Sequence, residues 1–555
     1  MTRLVTGEIR GMHAAAYLLA AFTILSSLLG FLRDRLLAHA FGAGHALDLY
    51  NAAFSIPDFI FVTVASLVSA YVLIPEFMRR AEGERTAYIE TIMLWFAALI
   101  AAVGIGAYIA APFLLSRFFP ALWNGPDSGL LLVMTRIMLL QPVFLGCSNI
   151  LATITQSRNR YVIYALSPLF YNFGIILGVV ALYPVFGLPG LAWGVVLGAV
   201  LHVSVPLPSI LADGFFLRMR RIGPAREFFR TILISLPRTL ALSANQIVYL
   251  AMLSIASGLA VGSIAVFRFA FNLQAAAASV VGVSYSVAAF PALAGLFSAG
   301  KHGEFVRQVR QATQHVIFWT FPMTALVIVL RAHVVRVILG SGAFDWTATR
   351  LTAAAFALFA LALAANALMP LFARAYYAAG RSWMPFAVNA VAAIGSVAAA
   401  VWLSHALASG GAARDVLETV LRVTGVPGTE VLALPLSYAA GSLAATIAMA
   451  AFMERDFGGF LHGVARTAGQ ALVASAAGAA ATYGMLDALG GISDLSTLIS
   501  VLATGFIAGL SGLLVTALAY MLLGSQELAE VYRALSTRVT PLRSRVVVSA
   551  EDELA

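Results

Sequence analysis

Apolar residues run almost unbroken along this chain, interrupted by short clusters of Arg, Pro, Gly and Ser. The runs do not alternate polar with apolar, as a membrane β-strand would. A helix needs about 20 apolar residues to cross the hydrocarbon core, and inside lipid it satisfies its own backbone. The pattern predicts fourteen helices, at 13–38, 48–76, 88–116, 128–155, 160–182, 188–212, 228–257, 262–296, 314–339, 349–376, 384–407, 431–453, 464–487 and 497–523. The expected fold class is an all-α polytopic membrane protein. The first run is too long for a cleavable signal peptide and is read as the first span.

The polar positions orient these spans. Alternate connections carry Arg79, Arg80 and Arg85, then Arg158 and Arg160, then Arg218, Arg220, Arg221, Arg226 and Arg230. The series continues through Lys301, Arg307, Arg310, Arg374, Arg381, Arg455 and Arg466 to the basic tail. The intervening connections YPVFGLPG, SGLAVGS and DALGGISD have no Lys or Arg. The positive-inside rule then places both termini in the cytoplasm.

A repeat is also visible. Pro75 and Pro291 close the second and eighth spans, and Pro168-Leu-Phe-Tyr-Asn172 returns as Pro385-Phe-Ala-Val-Asn389. Nearly equal offsets over six spans predict two parallel six-helix lobes, with a substrate cavity between them. The expected divisions are 1–222 and 223–460 for the lobes, 461–525 for two added helices, and 526–555 for a cytoplasmic tail.

Composition agrees: 61% of the 555 residues are hydrophobic and 11% are charged. The net charge of +9 is accounted for by cytoplasmic loops, so no nucleic-acid partner is expected. Cys147 is the single cysteine, which excludes an internal disulfide and a Cys metal cluster. No Walker motif, dinucleotide fingerprint or nucleophile elbow occurs in a suitable context. The chain is therefore not expected to be an enzyme or an ATP-driven pump, and no cofactor or metal is expected. Coupling to membrane potential, sodium or protons stays open.

Charges within apolar runs are the candidate chemistry, because burying them in a bilayer is costly. Arg33 and Asp34 lie toward the end of the first span. Arg33 fits a phosphate ligand through its planar fork, with Asp34 holding a neighbouring arginine; both also fit snorkelling to the interface. Asp48 starts the second span, where it can cap its own helix or pair with Arg33 as a gate. Asp58, deeper in that span, fits either a carrier of a proton or sodium ion or a structural pair. Arg238 and Arg268, with Asn245, Gln246, Asn272 and Gln274, place polar groups on the seventh and eighth spans. They fit substrate binding, and they also fit simple helix–helix hydrogen bonding.

The stretch from Gly30 to Pro57 carries a fixed pattern: Gly30, Phe31, Arg33, Asp34, Ala38, Phe41, Gly42, Ala43, Gly44, Asp48, Ala53, Phe54 and Pro57. In this it resembles the MurJ/MviN family of lipid flippases, relatives of the MATE exporters. NRYVIYALSPLFYN at 159–172 and LFARAYYAAGRSWMP at 371–385 are similar to loops of that family. The resemblance implies movement of lipid II, a polyprenyl-diphosphate-linked peptidoglycan precursor, to the outer leaflet by alternating access. It also implies a basic cavity that includes Arg33, and a groove beside the last two helices for the lipid tail. The family pattern differs at Ser27, at Phe61-Val62, at Ala65 to Ala70, near Met252 and at Asn272, several of them positions where arginine is usual. Arg33, Arg238, Arg268 and Asn272 would then form the binding set, with Asp34, Asp48 and Asp58 as gate or ion-pair residues. Another lipid-linked oligosaccharide or amphipathic cargo, or a non-transporting scaffold for cell-wall synthesis proteins, fits the same departures.

Overall fold

The computed structural model describes residues 12–216, 223–278, 284–381, 383–490 and 497–533. All regular structure among them is helical. Among the described residues, eleven helices or helix pairs are long and apolar enough to cross a membrane. They coincide with eleven of the expected spans. The other three expected spans fall on α1 (Met12–Phe41), α12 (Ala225–Ser257) and the shorter apolar helix α13 (Ser263–Ala278), followed by α14 (Ser284–Ser298).

The second expected span is two helices, α2 (His45–Ala65) and α3 (Ala70–Met78), joined by a tight turn at Ser66–Val68. Neither Pro nor Gly causes this break. Ser66 Oγ donates to Thr63 O at 3.0 Å, and Ser235 Oγ donates to Leu67 O at 2.7 Å. A seryl hydroxyl thus takes a carbonyl that a continuing helix would have used.

Next come α4 (Glu82–Phe118), α5 (Pro120–Trp123), α6 (Ser128–Met138), α7 (Gln141–Ser157) and α8 (Tyr161–Leu177). After a π turn at Gly178–Leu182 follow α9 (Tyr183–Phe186), α10 (Leu188–Ser204) and α11 (Leu207–Ala212). Beyond α14 lie α15 (His302–Leu339), α16 (Trp346–Ala360), α17 (Leu363–Ala378), α18 (Trp383–Ala408) and α19 (Ala412–Leu421). The last three are α20 (Ala433–Phe457), α21 (Val464–Leu489) and α22 (Leu498–Leu522).

The chain gathers into two compact units. One comprises Met1–Ala270, Ile338–Ala355 and Ala393–Ser437; the other comprises Phe271–Val337, Phe356–Ala392 and Tyr438–Ala555. In the first, α8 and α10 meet through glycines. A Cβ on Gly174 would collide with Gly198, and one on Gly194 with Gly178. The four-residue spacing puts these glycines on one stripe of each helix, so the backbones approach closely.

In the second unit, α21 and α22 pack in the same way. A Cβ on Gly478 would strike Thr516 Oγ1, and one on Gly512 would strike Thr482 Oγ1. Both threonines spend their hydroxyls on their own helix, Thr482 at 2.9 Å and Thr516 at 2.8 Å, so neither hydroxyl is left unpaired. Tyr520 ties α22 to α15 by donating to Phe318 O at 2.9 Å. Around it, Phe305, Phe372, Tyr376 and Phe460 build an aromatic core.

The proposed repeat has a local counterpart. Asn172 Nδ2 donates to Pro168 O at 3.2 Å, and Asn389 Nδ2 donates to Pro385 O at 2.9 Å. Each asparagine satisfies the carbonyl one turn back on its own helix.

Candidate functional site

Polar side chains from α1, α2, α8, α12 and α13 gather in the first unit. On α1, neighbouring residues point about 100° apart, yet Arg33 is long enough to fold back onto Asp34. Its Nε and Nη2 both donate to Asp34 Oδ1, at 2.9 and 2.8 Å. Its Nη1 donates to Asn172 Oδ1 on α8 at 3.0 Å. The proline-bonded amide group of Asn172 thus presents its oxygen to the guanidinium. Asp34 is buried and Arg33 is partly accessible. Three of the five guanidinium N–H groups are engaged, leaving two for another acceptor.

On α2, Tyr50, Phe54 and Asp58 recur every fourth residue and so share one face. Arg268 of α13 lies over the Phe54 ring, 4.4 Å from its centroid, a cation–π arrangement that leaves the guanidinium edge available. Asp58 accepts from Gln246 Nε2 of α12 at 2.8 Å. Arg268 also acts on Asp58 through space. Tyr50, Tyr171 and Tyr249 lie within the electrostatic reach of Arg33 and Arg268. The Tyr171 hydroxyl is buried with no hydrogen-bond partner.

Asp48 does something else. Neither the cap on its own helix nor the ion pair with Arg33 is formed. Its carboxylate crosses to the start of α13 and accepts from Gly262 N at 2.6 Å and Ala265 N at 2.9 Å. Gly262 is the residue before that helix and has no side chain with which to cap it. Asp48 supplies the cap from α2 and meets the positive end of the helix dipole.

The crossing is tight. Gly262 has φ +90° and packs against Ala43 O, so a side chain there would be strained and would collide. Gly42, at φ +61°, faces Ala343 O in the same manner, and Ala343 N donates to His39 O at 2.9 Å. The ends of α1, α2, α13 and α16 are therefore joined chiefly through backbone atoms.

Arg33, Asp34, Asp58 and Arg268 come together as one cluster. Asp48 stands apart from it, at the α1–α2 turn. Arg238 lies on α12, and its side chain is outside the described residues. Asn272 follows Arg268 by one turn of α13 and belongs to the second unit. Tyr50, Tyr171 and Asn172 complete the cluster and carried little sequence signal. Asn172 stood out only as a mark of the repeat. Among the described residues, no group of three or more His, Cys, Asp or Glu could hold a metal ion.

The family model described as "Lipid II flippase MurJ" matches residues 37–503. A probable lipid II flippase MurJ of Rhizobium meliloti is 24% identical over 405 residues, covering 70% of this chain and 75% of the relative. The lipid II flippase MurJ of Burkholderia cenocepacia is 24% identical over 381 residues, covering 66% and 73%. Among solved structures, a lipid II flippase MurJ in an inward closed conformation superposes with a TM-score of 0.69 at 19% identity, covering 91% of this chain and 99% of that one. An inward-facing multidrug resistance MATE family transporter of the MOP superfamily gives 0.62 at 13% identity, covering 78% and 95%. At these identities the structural likeness establishes the fold.

Proposed function

Starting from the premise that this chain belongs to the lipid II flippase MurJ family, whose model spans residues 37–503, we propose that it moves lipid II from the cytoplasmic to the outer leaflet by alternating access. It is a multi-pass membrane transporter and not an enzyme. We place it in a bacterial inner membrane with both termini in the cytoplasm.

The observation that carries the reading is the gathering of Arg33 and Arg268 on apolar spans around one polar cluster. Two guanidiniums within the hydrocarbon thickness need a reason to be there. An anionic diphosphate supplies one, because guanidinium forks match phosphate oxygens. Arg33 offers the N–H groups not engaged by Asp34 and Asn172, and Arg268 offers the edge left open by its stacking on Phe54. The Asp48 cap would hold the outer end closed while the headgroup loads from the cytoplasm. Releasing it would separate α2 from α13 and open the outer side. An inside-negative membrane would favour outward movement of the cargo by about 2.3 kcal/mol per charge per 100 mV.

A second reading has one specific basis: Phe61 and Val62 stand where the family pattern has an arginine pair. Another polyprenyl-linked glycan with fewer phosphate contacts would suit that change.

Rescue of cells depleted of their own lipid II flippase tests the assignment. The wild-type chain should restore growth, whereas Arg33→Ala and Arg268→Ala should fail at normal membrane levels. Full rescue by both variants would remove the proposed site. Failure of the correctly inserted wild-type chain would favour the second reading.

A further inference from the structure

Charge is distributed unevenly over the two arginines of the cluster. Arg33 is neutralised by direct contact with Asp34. Among the described residues, Arg268 makes no hydrogen bond and no direct ion pair; its partner is the Phe54 ring. Asp58 acts on it through space while its carboxylate is held by Gln246 at 2.8 Å. The Tyr171 hydroxyl, also within electrostatic reach of Arg268 and Asp58, is buried and unpartnered. The open donors of Arg268 and Tyr171 thus form a seat for an anion, with a fixed carboxylate beside it.

We propose that Asp58 sets the affinity of this seat, weakening its hold on a phosphate headgroup enough for release. The proposal rests on the reading of the protein as a carrier of a lipid-linked diphosphate. Asp58 offsets the charge of Arg268 without occupying its donors, so a phosphate can enter without displacing a protein ligand. The cost is like-charge repulsion between phosphate and carboxylate. A carrier gains turnover from this, since cargo held too tightly is not delivered.

Repulsion makes phosphate binding and protonation of Asp58 mutually favourable, and by linkage each strengthens the other equally. The groups that face Asp58 are Arg268 from α13, Gln246 and Tyr249 from α12, and Tyr171 from α8. Arg33 and Asp34 on α1 are committed to each other. Arginines stay charged and tyrosines neutral between about pH 5 and 8, which leaves the Asp58 carboxyl as the group in the seat whose charge can change.

The test is equilibrium binding of a short-chain prenyl diphosphosugar, whose diester phosphates stay ionised throughout, to the purified full chain between about pH 5 and 8. Asp58→Asn should bind about tenfold more tightly at neutral pH, equivalent to ~1.4 kcal/mol, with little dependence on pH. The wild-type protein should tighten toward that value as pH falls, and Asp58→Glu should keep the wild-type slope. Arg268→Ala should weaken binding and abolish the gain from Asp58→Asn. Unchanged or weaker binding by a folded Asp58→Asn, or a wild-type affinity that does not rise on acidification, would overturn the proposal. If Arg268→Ala still weakens binding in that case, the seat stands and only the role of Asp58 falls. Absence of binding by the wild-type protein would remove the functional reading as well.

Discussion

At the scale of single residues, charge within an apolar run was the legible signal, and the structure places four of the residues so marked, Arg33, Asp34, Asp58 and Arg268, in one cluster. What the sequence did not disclose was pairing. Asp48 illustrates why: its partners are the backbone N–H groups of Gly262 and Ala265, and a peptide group carries no residue signature. Removing the carboxylate would leave two buried donors without an acceptor, a loss of about 1–3 kcal/mol for each unsatisfied group. Asp48→Ala should therefore lower the thermal unfolding midpoint in detergent, and Asp48→Asn, which keeps one acceptor oxygen, should lower it less. Equal midpoints for all three proteins would show that the cap contributes nothing to stability. Tyr50 and Tyr171 carried no such signal for a related reason: they are uncharged and sit among residues common in any membrane helix.

At the scale of elements, span positions were mostly readable because hydrophobic length is imposed by the bilayer. The tenth expected span, 349–376, falls within Trp346–Ala378. The break between α2 and α3 was not readable, since it depends on Ser235, far along the chain. The α19 helix was also missed; it lies in the 408–430 connection, where Arg414 and Arg422 are outnumbered by Asp415, Glu418 and Glu430. Arg414 Nε donates to Glu418 Oε1 at 2.7 Å, its Nη1 to Glu430 Oε1 at 3.1 Å, and Thr429 Oγ1 to Glu418 Oε1 at 2.6 Å. Hydrogen bonds from Thr429 and then Arg414 hold the Glu418 carboxyl below the ordinary glutamate range. A depressed folded value means stabilisation that is complete above the unfolded pKa and is lost as pH falls through the folded one. Amide protection in residues 412–432, measured against the intrinsic exchange rate, should hold at neutral pH and fall once the medium is acidic enough to protonate Glu418. Glu418→Gln should exchange faster at neutral pH and flatten that response. An unaltered profile in the variant would place the stabilisation elsewhere.

At the scale of the whole molecule, the alternation of basic and bare loops predicts an orientation, and a family match over residues 37–503 gives the transporter class. The orientation has a direct check. Val185 is 72% exposed in α9, at a connection without Lys or Arg, whereas Arg79 follows α3 in a basic loop. In a chain without Cys147, a cysteine replacing Val185 should react with a membrane-impermeant reagent on intact spheroplasts. One replacing Arg79 should react only after permeabilisation. The reverse pattern would invert every span.

The Asp48 contact also limits what genetics can find. Charge-swap rescue, in which two partners exchange residues, requires a side chain on both sides. Here one side is a carboxylate and the other is bare peptide, with Gly262 held at a conformation that disfavours any replacement. A lost Asp48 therefore has no reciprocal substitution that restores the contact at the facing positions. Suppressors of such a loss should map elsewhere, to changes that shift the balance between closed and open states.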